Sequence, residues 1–287
     1  MIKDNRKPYL LLLPSLLIMV IFVFFPIFRT LIYSLQKFKL TKPNEIEFIG
    51  LKNYREIVES PDFHKALMNS FVIIFWVILF VMAASIFVAL ILNHRTRLTS
   101  FLTAVAILPW ALPPLVNGII WGFIFNPAYG LVNKLLLSLQ WIQQPIPWTN
   151  NLQFLLLIVS IIVSWRVVPF CALIILSSLQ NIPKDLYEAS SMDGANRIQS
   201  FFSITIPTII PSLVICLTQA TLAGINVFDE VIALVGYRQD SQTLLIYNYQ
   251  NTFSFLNFGY GSAITYLIMI VSGIAGYFYV KGLMKDM

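Results

Sequence analysis

Charge is what this sequence has least of. Only 11% of its 287 residues are Asp, Glu, Lys or Arg, while 58% are hydrophobic. A soluble domain carries about twice that charged fraction, so the composition excludes one and indicates an integral membrane protein. Its mean hydropathy of +0.78 agrees. Most residues fall in apolar runs, so residues 1–287 read as a single transmembrane domain with no separate soluble module. Histidine and cysteine are also scarce, two of each. Cys171 and Cys216 lie within apolar runs, where cysteine acts as a small hydrophobe, so neither a disulfide nor a metal site is indicated. His64 and His94 fall in loops predicted on opposite membrane sides and cannot share a metal. No Gly-x-x-x-x-Gly-Lys loop or paired-glycine fingerprint is present, so any ATP that drives this protein must bind another chain. A catalytic cluster is missing too, which makes a membrane enzyme a poor reading. The net charge of +6 is read as charge near the membrane surface, not as a nucleic-acid partner. The first apolar run is too long for a cleavable signal peptide and lacks a small-residue cleavage site.

Six runs meet the requirement of about 20 apolar residues for a span. They lie near Tyr9–Leu35, Ala66–Leu92, Phe101–Phe125, Leu152–Leu179, Pro207–Phe228 and Ser262–Val280, and predict an all-α membrane protein. Pro14, Pro26, Pro109, Pro113, Pro114 and Pro169 sit inside them and predict kinked helices around a cavity. Simple packing is the bland explanation for each proline alone. Lys3, Arg6 and Lys7 precede the first span, and Arg95 and Arg97 fill a short loop. With Lys184, Arg197, Lys281 and Lys285 they place both termini and the 181–207 segment in the cytoplasm, because short flanking segments dominate orientation.

The segment NIPKDLYEASSMDGANRIQSFFSITIP, residues 181–207, is polar and lies between two long apolar runs. Asn181 is expected to cap a helix with Pro183 and Asp185 in its first turn. Leu186, Ala189 and Met192 give that helix a narrow apolar stripe, and Gly194 is expected to end it in a left-handed conformation. Asn196 is expected to cap a second short helix that Pro207 ends or kinks. The result is a compact knob.

Polar residues within the spans are the candidates for a solute path. Arg166 is deep in the fourth span, where a charge costs at least about 2.5–3.5 kcal/mol unless it faces protein or water. Asn117 and Trp121 share a face of the third span, and Trp165 adjoins Arg166. Gln219, Asn226 and Asp229 lie toward the outer end of the fifth, with Asn226 guarding the outer mouth. An aromatic ring beside amide and charged groups is the chemistry that grips a sugar. The competing readings are a structural ion pair for Arg166 and helix-to-helix glue for Asn117.

Outside the spans, Phe48-Ile49-Gly50-Leu51-Lys52-Asn53-Tyr54 reads as a turn at Gly50 and a short amphipathic helix with Ile57 and Val58 inward. Asn126 to Asn133 is turn-rich, and Trp141 and Trp148 suit the headgroup level. Glu188-Ala189-Ser190, Asp193-Gly194-Ala195, Ile204 and Ile206-Pro207 closely resemble the EAA loop of permease subunits from binding-protein-dependent ABC sugar importers. Ser190 and Ile206 depart from that pattern only by small or volume-similar changes. The Phe-x-Gly-Leu-x-Asn-Tyr element, the Pro-x-Tyr-Gly-x-x-Asn stretch at Pro127–Asn133, Thr243-Leu244-Leu245 and the Gly-rich start of the last span are similar to the same family. The resemblance implies a type I importer permease fold of six helices in a prokaryotic cell membrane, with a cytoplasmic coupling helix. It also implies a second homologous permease subunit, two ATPase subunits that bind ATP and Mg, an extracytoplasmic solute-binding protein, and a sugar cargo, by preference an oligosaccharide. Glycerol-phosphate or a polyol is the alternative cargo. A secondary transporter would need a buried acidic ion site in the spans, and Asp229, near a membrane face, does not supply one.

Overall fold

The computed structural model describes residues 7–94 and 97–285. Lys3, Arg6 and Arg95, which entered the orientation count, lie outside the described residues. In chain order the helices are α1 (Lys7–Met19), α2 (Phe25–Ser34), α3 (Lys52–Glu59), α4 (Pro61–Asn93), α5 (Thr99–Ala106), α6 (Pro114–Ile124) and α7 (Leu131–Ser138). They continue as α8 (Leu152–Gln180), α9 (Lys184–Met192), α10 (Arg197–Ser200), α11 (Ile206–Ile225), α12 (Asp229–Val235), α13 (Leu244–Tyr249) and α14 (Phe258–Lys285). Two short strands, β1 (Gln36–Lys37) and β2 (Glu47–Phe48), pair antiparallel.

Among the described residues, five helical stretches are long and apolar enough to cross a membrane: Leu12–Ser34, Pro61–Asn93, Leu152–Gln180, Arg197–Ile225 and Phe258–Tyr279. In place of the sixth expected span stands a pair of helices that pass the same test only together. Its halves, Thr99–Ala111 and Pro114–Ile124, meet at an angle of 99°. Pro113 and Pro114 explain the break, since Pro113 takes an extended ψ of 142° and Pro114 opens the next helix. Other prolines are absorbed without a break. Pro169 stays buried inside α8, and Pro14 lies within α1.

The chain divides into two compact units, and α4, α13 and α14 contribute to both. The first takes the chain through His64 and adds Tyr247–Val271. There α1 and α2 run on through a π-helical turn at Val20–Phe24, and the apolar window of that rod buries none of its residues. Its polar end is built around buried Asn53, whose Nδ2 donates to the carbonyls of Ser34 (2.8 Å) and Gln36 (3.0 Å). Gly50 forms the expected turn with φ +58°, and Ile57 is fully buried. Val58 is 56% exposed, contrary to the inward placement expected of it. On an eight-residue helix one narrow stripe is covered, and Asn53 and Ile57, four apart, occupy it. Gly259 approaches so closely that a Cβ there would stand 2.1 Å from the Gln36 carbonyl oxygen.

The second unit runs from Lys65 to Ile246 and takes in the end of α14. Its centre is α8. In the apolar window of α8, 61% of residues are buried, against 22% for α4 and 22% for the α10–α11 span. Asn151 starts α8 by accepting hydrogen bonds from the Gln153 and Phe154 amides. Cys171 and Cys216, both buried, mark where α8 crosses α11, each thiol lying against the other's backbone carbonyl. Ser178 and Ser212 share a hydroxyl hydrogen bond at the same interface. The turn-rich segment before α7 is closed by Asn133, whose Oδ1 accepts from the Ile146 amide and the Trp148 indole. Its Nδ2 donates to the Pro127 and Ile146 carbonyls. Trp148 is therefore part of a packed network, whereas Trp141 is 76% exposed.

Candidate functional site: an exposed knob and a buried polar cluster

The knob forms between α9 and α11. Asp185 sits in the first turn of α9, as the sequence indicates. Asn181 does not cap that helix. It is the C-cap of α8, in αR conformation, and the residue before α9 is Pro183, which has no capping side chain. The apolar run of α8 carries its last turn to Gln180, so Asn181 closes the earlier helix before the next can begin. The C-terminal end of α9 follows expectation closely. Gly194 has φ +83°, its amide donates to the Ser191 carbonyl, and the Ala195 amide donates to the Ser190 carbonyl. These are the two hydrogen bonds of a Schellman cap. Asn196 then caps α10 with a full capping box, exchanging hydrogen bonds with Gln199.

Pro207 does not end the second helix of the knob. α10 passes through a π-helical turn, Phe201–Thr205, directly into α11, which has Pro207 in its first turn. The missing N–H falls where the hydrogen-bond ladder changes from π to α, which lets the helix continue. Two hydroxyl pairs tie the knob to this helix: Tyr187 Oη with Thr205 Oγ1, and Ser190 Oγ with Ser200 Oγ, both at 2.8 Å. Several of the knob's apolar side chains face outward, while Ile182, Ile204 and Ile206 pack inward. Met192 is 86% exposed, and Ile198 and Phe202 are comparably bare, while Leu186, Glu188 and Ala189 also lie on the surface. Asp193, Gly194 and Ala195 line a shallow cleft of about 590 Å³ together with Gln199, Phe202 and Ser203. The knob is thus a rigid scaffold with an unpaired apolar face.

The buried cluster joins α6, α8 and α12. Fully buried Asn117 donates from Nδ2 to the Ile162 carbonyl of α8 at 3.1 Å. Trp121 lies edge-on to Trp165, with ring centroids 5.6 Å apart, and stacks on Phe125. Arg166 pairs with Glu230 across 3.4 Å, and the Glu230 side chain is only 2% exposed. Gly118 lets α12 approach this closely. A Cβ there would stand 2.7 Å from the Ala233 Cβ and 3.0 Å from the Glu230 Cα. Three polar atoms in the cluster are buried without a partner: Asn117 Oδ1, Trp121 Nε1 and Arg166 Nε. Two donors and one acceptor left over at one helix junction are unusual, because buried polar groups are otherwise nearly all paired.

Of the seven residues singled out for a solute path, the structure gathers Asn117, Trp121, Trp165 and Arg166. Asp229 adjoins the cluster at the start of α12 and is half-buried. Gln219 is half-buried on α11, and Asn226 is its exposed C-cap; no hydrogen bond among the described residues ties either to the cluster. The sequence reading missed Glu230. The fifth apolar run was taken to end at Phe228, so Asp229 and Glu230 looked like its exit into water. The structure instead folds a new helix from Asp229 and buries Glu230, and thereby supplies the buried carboxylate that the spans seemed to lack. An unpaired arginine deep in the fourth span was the signal that could have found it.

This architecture, a set of apolar spans with one sharply bent helix pair and an exposed helical knob, is that of an importer permease, and comparison with known proteins gives the class. Residues 81–287 match the family described as "Binding-protein-dependent transport system inner membrane component", and the chain belongs to it. It is therefore a multi-pass membrane protein and a permease subunit. Among its relatives, the sulfoquinovosyl glycerol transport system permease protein SmoG of Agrobacterium fabrum is 32% identical over 94% of this chain and 87% of its own length. The trehalose/maltose transport system permease protein MalF of Thermococcus litoralis is 31% identical over 94% and 90%. Among solved structures, a bacterial alginate ABC transporter in complex with a pentasaccharide-bound periplasmic protein has a chain that superposes with a TM-score of 0.79 at 21% identity. The match covers 97% of this chain and 94% of that one. The fold is the type I importer permease fold. Family membership also removes the stand-alone secondary transporter, despite the buried Glu230.

Proposed function

We propose that this chain is half of the membrane pathway of an ATP-driven importer that takes a sugar, by preference an oligosaccharide, from an extracytoplasmic solute-binding protein. A second homologous permease supplies the other half. Two separate ATPase subunits bind ATP and Mg²⁺ and hydrolyse the nucleotide, and this chain binds no cofactor. Both termini and the knob face the cytoplasm of a prokaryotic cell. The carrying observation is the knob: a capped, internally tied pair of helices whose apolar face has no cover among the described residues. Glu188, Ala189, Ser190, Asp193, Gly194 and Ala195 form the ATPase contact, and Pro207 sits where its supporting helix enters the membrane. Relatives that carry a glycerol glycoside and trehalose or maltose by their names support a sugar cargo. Asn117, Trp121, Trp165 and Arg166 form the inner part of the path, with Gln219, Asn226 and Asp229 further out. Glycerol-phosphate or a polyol is the rival cargo.

Uptake by the assembled complex tests the coupling role. Gly194→Trp or Glu188→Lys should leave the chain in the membrane and solute binding to the external receptor unchanged, while uptake falls. Co-purification should recover a second membrane chain and an ATPase. Normal uptake in both variants refutes the coupling role, and competition by glycerol-phosphate but not by oligosaccharides would establish the rival cargo.

A further inference from the structure

The segment between α6 and α8 has no part in the scheme above. Lys134 is its only charged residue from Asn126 to Asn151, whereas residues 36–62, of nearly the same length, carry ten. A stretch so poor in charge is not built to lie wholly in water. Within it, α7 turns buried Asn133 inward and leaves the opposite half of its surface open. Leu131, Leu135 and Leu139 recur every four residues along the open half, each more than half exposed. Exposed Lys134 and Ser138 border that stripe on one side only. Trp141 comes next and is more exposed still, yet it is not a loose end. Gln140 takes a left-handed φ of +55°, its amide donates to the Leu137 carbonyl, and the Trp141 amide donates to the Leu136 carbonyl. These hydrogen bonds form a Schellman cap without glycine, and the cap fixes where the indole stands.

The height of α7 is set by Trp148. Its ring lies edge-on to Phe125, at the end of α6, and to Phe154, in the first turn of α8, with centroids 6.0 and 6.2 Å away. Its indole donates to Asn133 of α7 at 3.0 Å. The helix is therefore held beside the point where α8 enters the membrane. Apolar surface also runs unbroken from α6 to α7. Exposed Phe123 meets exposed Tyr129 across 6.2 Å, and Leu131 begins the stripe two residues later. We infer that α7 lies flat in the bilayer, at the headgroup boundary of the leaflet in which α8 begins. The leucine stripe rests on acyl chains, Lys134 reaches up to the phosphates, and Trp141 stands at the boundary between them. Leucine and tryptophan on one face with lysine at the border is the composition of an interfacial helix. A protein partner is the rival cover, and lysine is depleted at such interfaces.

Depth measured by spin label tests the assignment. The purified complex is placed in phosphatidylethanolamine–phosphatidylglycerol vesicles with one nitroxide, attached after Leu131→Cys, Lys134→Cys, Leu135→Cys, Ser138→Cys or Leu139→Cys. All five positions are exposed, so folding is not at risk, and Cys171 and Cys216 are buried, which leaves the wild-type complex as the blank. Collision rates with dissolved oxygen and with a water-soluble nickel chelate give the depth of each label. The three leucine positions should lie about 5–10 Å below the phosphates, and positions 134 and 138 at or above them. Nickel access at the leucine positions equal to that at position 134 would put the stripe in water and overturn the assignment. Loss of access to both reagents at the leucine positions would put a protein over the stripe and overturn it equally. That protein is the second permease if the loss is constant, and the solute-binding protein if the loss appears only when it is added. The readout involves neither sugar nor nucleotide, so it stands or falls independently of the cargo and of the coupling role.

Discussion

Breaking the Arg166–Glu230 pair from one side should cost more stability than removing it altogether. At 3.4 Å and an effective dielectric near 20, the attraction is about 5 kcal/mol. Arg166→Met leaves the Glu230 carboxylate, 2% exposed, without its cation. The expected loss is about 3–5 kcal/mol, the usual penalty for stranding one member of a buried pair. Glu230→Leu alone should cost a similar amount, because Arg166 is only 21% exposed and its Nε already lacks a partner. The double variant, Arg166→Met with Glu230→Leu, buries no charge and keeps similar volumes. It should recover most of the loss, since well-packed apolar replacements of buried pairs are often neutral. Thermal stability of the purified complex in mild detergent, followed by size-exclusion chromatography with wild type and all three variants, measures the cycle. If the double variant melts at or below the worse single one, the pair is not what joins α8 to α12. The same result would follow if Arg166→Met alone melts like wild type.

Two further outcomes follow from the packing. Gly118→Val should force α6 and α12 apart, because even a Cβ would stand 3.0 Å from the Glu230 backbone; overpacking of this kind costs about 1–3 kcal/mol, read as a lower melting temperature with Gly118→Ala intermediate. Asn133→Leu removes the side chain that serves the Ile146 amide, the Trp148 indole and two carbonyls. Each group left buried and unpaired costs about 1–3 kcal/mol, so the 126–148 segment should become sensitive to protease while distant segments do not.

The spans and the end of α9 were legible because single residue types decide them. Only glycine takes φ +83° without strain, so Gly194 marks the end of α9 wherever the rest of the chain goes. Asn196 with Gln199 three positions on is likewise a local signal, and the capping box forms as written. Where two neighbouring elements compete, the sequence is ambiguous. Asn181 suits the end of one helix as well as the start of the next, and α8 takes it. Pro207 reads as a stop or a kink in any α-helical count, yet the chain runs on through a π-helical turn into α11 with the proline in its first turn. Glu230 was hidden by a different rule. A carboxylate after an apolar run looks solvated until its cation, 64 residues earlier, is seen to share its depth. Tertiary pairing of that kind has no periodicity to betray it.

The π-helical turn at Phe201–Thr205 also fixes the number of residues between the knob and the membrane. Such a turn holds one residue more than an α-turn, and each residue rotates a helix by about 100°. Deleting any one residue there would let the segment relax to plain α-helix and would swing everything beyond it by that angle. Cys216 would leave its seat against Cys171, Ser212 would part from Ser178, and the tie between Tyr187 and Thr205 would be lost or re-registered. The segment therefore works as a phase element. It sets the angular relation between a surface outside the bilayer and a helix packed within it, so relatives that preserve both surfaces should tolerate substitutions here far better than a change of length.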